Sequence, residues 1–312
     1  MGRPRIRVVG YLSIDTVYRP GVAPEQAPGG AALYAALGAR HAGAAVSLNA
    51  LVGEDYPQAW LHALEAMDID VSRVQRRSGP TRTTGLHYGR DGQRSSPHFR
   101  DPLWWDRTHA LSPLVGDDLA ECDALVACPM TTTSLSTLVR RAVVAGVPVV
   151  ADTSAAFVSE NAQVMLQLLQ ELAVFAPSRE ETQLLLPDYD DDAAALRLAR
   201  QGVHLLLKCG PDGAIVVSAR GESVQRIPAP PAAVVRMPVT VLASASISVT
   251  LSTAVMTCAP KLSFSKARAF APCAVLCAAR PMLAPMAKYC AAVGSATVRS
   301  LAEPLASARM RL

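Results

Sequence analysis

Three observations point this sequence to an α/β fold in three layers: a mostly parallel central sheet, helices on both faces, and a small β lid. Short β-branched apolar runs alternate along the chain with alanine- and leucine-rich stretches of helical period, the rhythm of βαβ units. Those runs are apolar throughout rather than every second residue, as strands covered on both faces require. The chain has 312 residues, half of them apolar, enough for a large buried core.

The elements follow in order. "RIRVVGYLSID" is a β-branched run ending at Gly10 and Asp15 and reads as a strand followed by a loop. "PGGAALYAALGARHAG" opens on a glycine pair and continues as a helix that stops at Gly43. "AAVSLNALVG" is a buried strand and "YPQAWLHALEAM" a helix. "TRTTGLHYGRDGQRSSPHF" reads as two polar strands around the Asp91-Gly92 turn, a hairpin over about 81–99 that stands outside the main rhythm and serves as a lid. "DALVACP", "TLVRRAVVAG", "VPVVADT", "AQVMLQLLQEL", "AVFAPS", "DDAAALRLARQG" and "VHLLLKCG" then alternate strand and helix.

Composition narrows the function. A net charge of +4, without a basic stripe carrying interleaved aromatics, argues against nucleic acid as a partner. The start, "MGRPRIRVVGYLSID", has arginines but no apolar signal core and no small-residue cleavage site, so the expected location is the cytoplasm. Seven cysteines at irregular spacing, without a CxxC, fit reduced thiols. Residues 237–260 are uncharged and long enough to raise a membrane span, but their Ser, Thr and near-alternating β-branched residues favour a buried strand or no defined structure.

In an open parallel sheet, ligands sit beyond the carboxyl ends of the strands, which places Asp15 and the Gly29-Gly30 pair on one pocket. Two glycines at a helix start let backbone N–H groups approach an oxygen-rich ligand; a tight turn with a capping aspartate accounts for the same residues. No GxGxxG follows the first strand, which disfavours a dinucleotide fold. His87, His98 and His109 lack the short spacing of metal ligands, and "PDYDDDAAALRLARQG" is an acidic helix start suited to the helix dipole. Trp104 and Trp105 follow the hairpin and read as packing residues.

Taken in order, "VVGYLSID", "PGGAALYAALGARHAGAAVSLNALVGEDYP", "APSREETQLL" and "LLLKCGPDGAIVV" followed by "IPAPPAAVV" resemble the ribokinase-like (PfkB) carbohydrate kinases over about residues 5–235. The resemblance implies a ribokinase-like domain over 1–235, ATP with Mg2+, a sugar or nucleoside-like acceptor and a homodimer through the lid. It implies that Asp15, Gly29 and Gly30 hold acceptor hydroxyls. Tyr34 stands where many relatives carry an asparagine that touches substrate, which puts ribose in doubt as the acceptor. The family's Asn-x-x-Glu, which organises magnesium and phosphates, falls on Ser178 and Glu181, with serine replacing asparagine; Glu181 is the metal-side residue. The turn before the nucleotide falls on Lys208, Gly210 and Gly213.

The family then has Asp-Thr-x-Gly-Ala-Gly-Asp at a helix start, where backbone N–H groups and the helix dipole hold the transferring phosphoryl and the last aspartate takes the hydroxyl proton. This chain has "RMPVTVLAS" instead, with no catalytic aspartate near Ser244, so residues 236–312 form an aberrant segment in place of the end of the kinase domain. Of 26 acidic residues only Glu303 lies after position 229. Two accounts fit: an authentic diverged tail, or a reading-frame shift. Read one nucleotide earlier from Met237, with free codon choice, the segment can encode Asp-Ala-Gly-Asp-Gly-Ala-Gly-Glu, with glutamate where the family has aspartate.

Overall fold

A computed structural model describes residues 2–89, 94–95, 101–113 and 118–229. The Asp91-Gly92 turn, His98, the uncharged run 237–260, Ser244 and the whole of 236–312 lie outside the described residues.

In chain order the elements are β1 (Arg5–Val9), β2 (Ser13–Arg19), β3 (Val22–Gly29), α1 (Ala31–His41), β4 (Ala45–Gly53), α2 (Gln58–Ala66), β5 (Ile69–Arg77), β6 (Thr83–Tyr88), β7 (Arg94–Ser95) and α3 (Pro102–Ala110). They continue as β8 (Ala124–Ala127), α4 (Thr132–Ala145), β9 (Val149–Ala151), α5 (Ala155–Glu160), α6 (Ala162–Leu168), β10 (Val174–Phe175), α7 (Arg179–Leu185), α8 (Asp191–Ala199), β11 (His204–Lys208), β12 (Ala214–Val217) and β13 (Val224–Ile227).

Nine strands form one sheet in the order β13-β12-β11-β10-β9-β8-β1-β4-β5. It is parallel from β11 to β5; β12 and β13 run antiparallel because short turns join them, and only longer crossovers return a chain to parallel. Both faces are covered. Ile6 and Val8 of β1 pack into the apolar cluster shared with α1 and α2, while Val9 packs into the cluster shared with α4 and α8. Each such side chain, fully buried, contributes about 1.5–3 kcal/mol, which is why the strands read as continuous apolar runs. Local signals close the helices: Thr131 caps α4 by accepting from the Ser134 N–H, and Gly146 ends it in the left-handed region. Asp190 caps α8, with Asp191 and Asp192 in its first turn and Arg197 in its last.

A second sheet has the order β3-β2-β6-β7. β2 pairs antiparallel with β3 and parallel with β6, and β6 pairs antiparallel with β7 through His87 and Ser95. The sequence reading ran one strand from Arg5 into a loop at Asp15, and the structure corrects it. A Cβ at Gly10 would fall 2.6 Å from that of Cys128, so the backbone passes close beneath the neighbouring crossover and leaves the main sheet after Val9. Asp15 therefore sits inside β2. β5 carried no continuous apolar signal because it is an edge strand whose last three residues are exposed. No helix of the described residues is long and apolar enough to cross a membrane.

Candidate functional site

Beyond the carboxyl end of β1 the chain builds a nook around Asp15. Gly29 closes β3 against it: a Cβ there would lie 2.0 Å from Asp15 Oδ2, so only glycine lets the carboxylate rest on the backbone. Gly30 caps α1 at φ +96°, and a Cβ on it would meet the Tyr11 carbonyl oxygen at 2.3 Å. Asp15 is 6% exposed and accepts a 2.7 Å hydrogen bond from Ser13 Oγ. Tyr34, half-buried on the first turns of α1, lies near Tyr56, and so does Asp15. The Tyr56 hydroxyl is buried without a hydrogen-bond partner among the described residues; burial first, then Asp15 and Tyr34, push its pKa above the ordinary value.

Arg82, just before β6, also reaches this nook. Its guanidinium carbon lies 4.5 Å from the Tyr11 ring centroid and 4.7 Å from that of Trp104. Burial lowers its pKa to about 10, against the opposing pull of Tyr11 and Asp15, so it stays cationic at neutral pH. The sequence reading passed over Arg82 because "TRTTG" looks like an exposed polar strand; Trp104 it placed as packing, and Trp104 is buried and stacks at 6.0 Å on Phe157. His87 stacks on Tyr18 and His109 on Trp105.

A second cluster gathers at the carboxyl ends of β9, β10 and β11. Ser178 caps α7 by accepting from the Glu181 N–H at 3.3 Å, and Glu181 Oε2 accepts from the Ser178 N–H at 2.5 Å, a reciprocal capping box. Lys208 ends β11, donates its backbone N–H to the Pro177 carbonyl, and places Nζ 2.6 Å from Asp152 Oδ1. Gly210 and Gly213, both at positive φ, turn the chain into β12; a Cβ at Gly213 would fall 2.0 Å from the Ile227 carbonyl oxygen. Asp152 was missed in the sequence, where its one signal is a carboxylate directly after the apolar "VVA".

Charges in this cluster are interdependent. Burial raises Glu181 to about 7, with Asp152 adding to the shift and Lys208 opposing it. Burial alone would lower Lys208, but Asp152 and Glu181 outweigh it and its pKa ends above the ordinary value. Cys128, just past β8 and against Gly10, feels the charges of Asp152 and Lys208; burial pushes its thiol up. A carboxyl whose folded pKa is raised stabilises fully below its unfolded value and loses that contribution as pH rises through the folded one. From about pH 4 to 7, therefore, the parent is expected to lose melting temperature relative to Glu181→Gln. Thermal melts of both chains across that range check this, and parallel curves would refute it.

Asp152 and Glu181 are a donor set suited to Mg2+, which takes one or two carboxylates together with substrate phosphates, although no group of three or more metal-ligating side chains occurs among the described residues. The structure thus brings Ser178, Glu181 and Lys208 together with Gly210 and Gly213 following, and separately gathers Asp15, Gly29, Gly30 and Tyr34.

Known proteins resemble this chain in part of its sequence and in its fold. A cytidine kinase of Thermococcus kodakarensis is 40% identical over 90 residues, 29% of this chain and about a third (32%) of that protein's length. Adenosine kinase from Sinorhizobium meliloti has a similar structure, with a TM-score of 0.61 at 16% identity over 80% of this chain and 86% of that one. So does an Escherichia coli chain assigned as ribokinase II and solved with ATP and Mg2+, at a TM-score of 0.58 and 16% identity over 74% of this chain and 80% of that one. The model of the pfkB family carbohydrate kinases matches residues 5–236, and with the mostly parallel sheet and its helices already in place, the chain belongs to that family.

Proposed function

We propose that the chain holds a sugar- or nucleoside-like acceptor at Asp15, Gly29, Gly30 and Tyr34, and ATP with Mg2+ at Ser178, Glu181, Lys208, Gly210 and Gly213. This is the layout of an ATP-dependent kinase acting on a sugar-like hydroxyl, with phosphoryl transfer impaired or absent in the chain as written. The observation that carries the reading is the pair of polar clusters beyond the carboxyl ends of one parallel sheet, where such folds bind ligands. The cytidine kinase relative and the ATP- and magnesium-bound structural neighbour support the two ligand classes.

Asp15 accepts hydrogen bonds from acceptor hydroxyls, and the α1 N-terminus at Gly30 offers backbone N–H groups beside it. Lys208 orients Asp152 and balances Glu181, and these two carboxylates would hold Mg2+. When bound, the metal neutralises charge on the phosphate oxygens. The proton acceptor is what the sequence lacks: no acid lies between Ala229 and Ala302. A chain that binds the acceptor without transferring phosphoryl, or the nonfunctional product of a shifted frame, is the second reading, and that same absence favours it. A cytoplasmic location and pairing of two copies through the second sheet, whose edge strand β3 is exposed from Val22 to Gln26, complete the proposal.

Asp15→Ala tests it. A carboxylate hydrogen-bonded to ligand hydroxyls contributes about 1.5–3 kcal/mol per bond, so the substitution is expected to weaken acceptor binding tenfold or more. Calorimetry against sugars and nucleosides reads this; equal affinity of the two chains for a bound acceptor would remove Asp15 from the site.

A further inference from the structure

We propose that Arg82 selects the acceptor by donating hydrogen bonds to an unprotonated oxygen on it, a base carbonyl or a carboxylate, while Asp15 holds the hydroxyls. The inference rests on the acceptor site proposed above and names the class of molecule that fits it.

The Nε and Nη1 atoms of Arg82 are shut off from solvent and have no hydrogen-bond partner among the described residues. Arg7, buried in the main sheet, has its terminal nitrogens paired, with Asp118 at 2.8 Å, and leaves only Nε without a partner among the described residues. Burying a charged donor without a partner costs free energy that a fold rarely leaves unanswered unless a ligand completes the site. The aromatic faces of Tyr11 and Trp104 attract the cation but accept no hydrogen bond in the guanidinium plane.

The residue is also firmly placed. Its carbonyl accepts the Ile14 N–H at 2.9 Å, which sets it beside the strand that carries Asp15. On one side Thr81 is fully buried and donates its hydroxyl to Asp55 at 2.6 Å; on the other, Arg107 donates to Thr83 Oγ1 at 3.1 Å. A rigid planar cation with unpaired donors, next to an acceptor-only carboxylate, is complementary to a molecule that presents hydroxyl donors on one side and a bare oxygen on the other. A free cyclic aldose offers hydroxyls and one weakly accepting ring oxygen, with no carbonyl or carboxylate. A pyrimidine nucleoside adds a base carbonyl and a sugar acid adds a carboxylate, the same acceptor chemistry from two sources.

The test is calorimetry of the full chain and of Arg82→Lys, Arg82→Gln and Asp15→Ala with cytidine, uridine, D-gluconate and D-ribose. The parent is expected to bind the nucleosides or gluconate at least tenfold more tightly than ribose, and whichever pair member binds names the source. Arg82→Gln, and to a lesser degree Arg82→Lys, is expected to abolish that preference and leave ribose affinity unchanged, with unliganded melting temperatures close to the parent's. Ribose binding as tightly as the others, equal loss of all ligands in the Arg82 variants, or a preference that survives in Arg82→Gln overturns the proposal. If binding depends on Asp15 but not on Arg82, only this inference falls. If it depends on neither, or no ligand binds, the acceptor site falls with it.

Discussion

Phosphoryl transfer by the 312-residue chain is expected to run at least about 10⁴-fold below that of the same chain translated in the restored frame from codon 236. Loss of a general base typically costs 10²–10⁴-fold, and loss of preorganised donors to the transferring group about 10²–10³-fold more, so the two together reach about 10⁴-fold when the low ends of both ranges add in free energy. The chain as written has no Gly-Ala-Gly run after Pro231, and no acid between Pro231 and Glu303 to stand in for the base. ADP release with Mg2+ and a panel of sugars and nucleosides measures both chains. Robust turnover by the chain as written would defeat the missing-base argument and the frame-shift account together. Activity only in the restored chain would support both, and inactivity of both would favour the binder with a diverged tail. The nucleotide sequence around codon 236 is an independent check, since an insertion or deletion there is visible directly.

Lys208→Met is expected to destabilise the fold by about 3 kcal/mol, the low end of the range for removing one partner of a buried ion pair, because Lys208 keeps about a fifth of its side chain exposed. For a domain of this size that is roughly 6–12 °C of melting temperature. The ammonium holds Asp152 Oδ1 at 2.6 Å and faces Glu181, so its loss leaves two carboxylates in one partly buried site with no cation between them. Two features separate this from general loss of packing. The deficit should shrink at pH 5, where Glu181 is protonated, and Asp152→Asn should recover part of it in the double variant. A deficit independent of pH, or strictly additive in the double variant, would show that Lys208 acts through packing alone.

Much of this molecule was readable from residues close together in the chain. The apolar runs at Val8-Val9, Val149-Val150 and Leu205–Leu207 announce strands covered on both faces, because a buried parallel strand has no solvent side to relieve with polar residues. Ser178 and Glu181, three apart at a helix start, announce a capping box for the same local reason: the geometry of one turn joins them. The order of such pieces carried the family. What short spacing could not carry is every feature made by contact between distant segments. Asp15 looked like a loop residue because nothing nearby reveals that Gly10 must pass under Cys128 and send the chain into a second sheet. Asp152 and Lys208 meet across 56 residues, and Arg82 meets Tyr11 and Trp104 from either side in sequence. Apolar burial is written into local composition because each residue bears its own transfer free energy; the charge of a buried group takes its meaning from whichever partner the fold sets beside it.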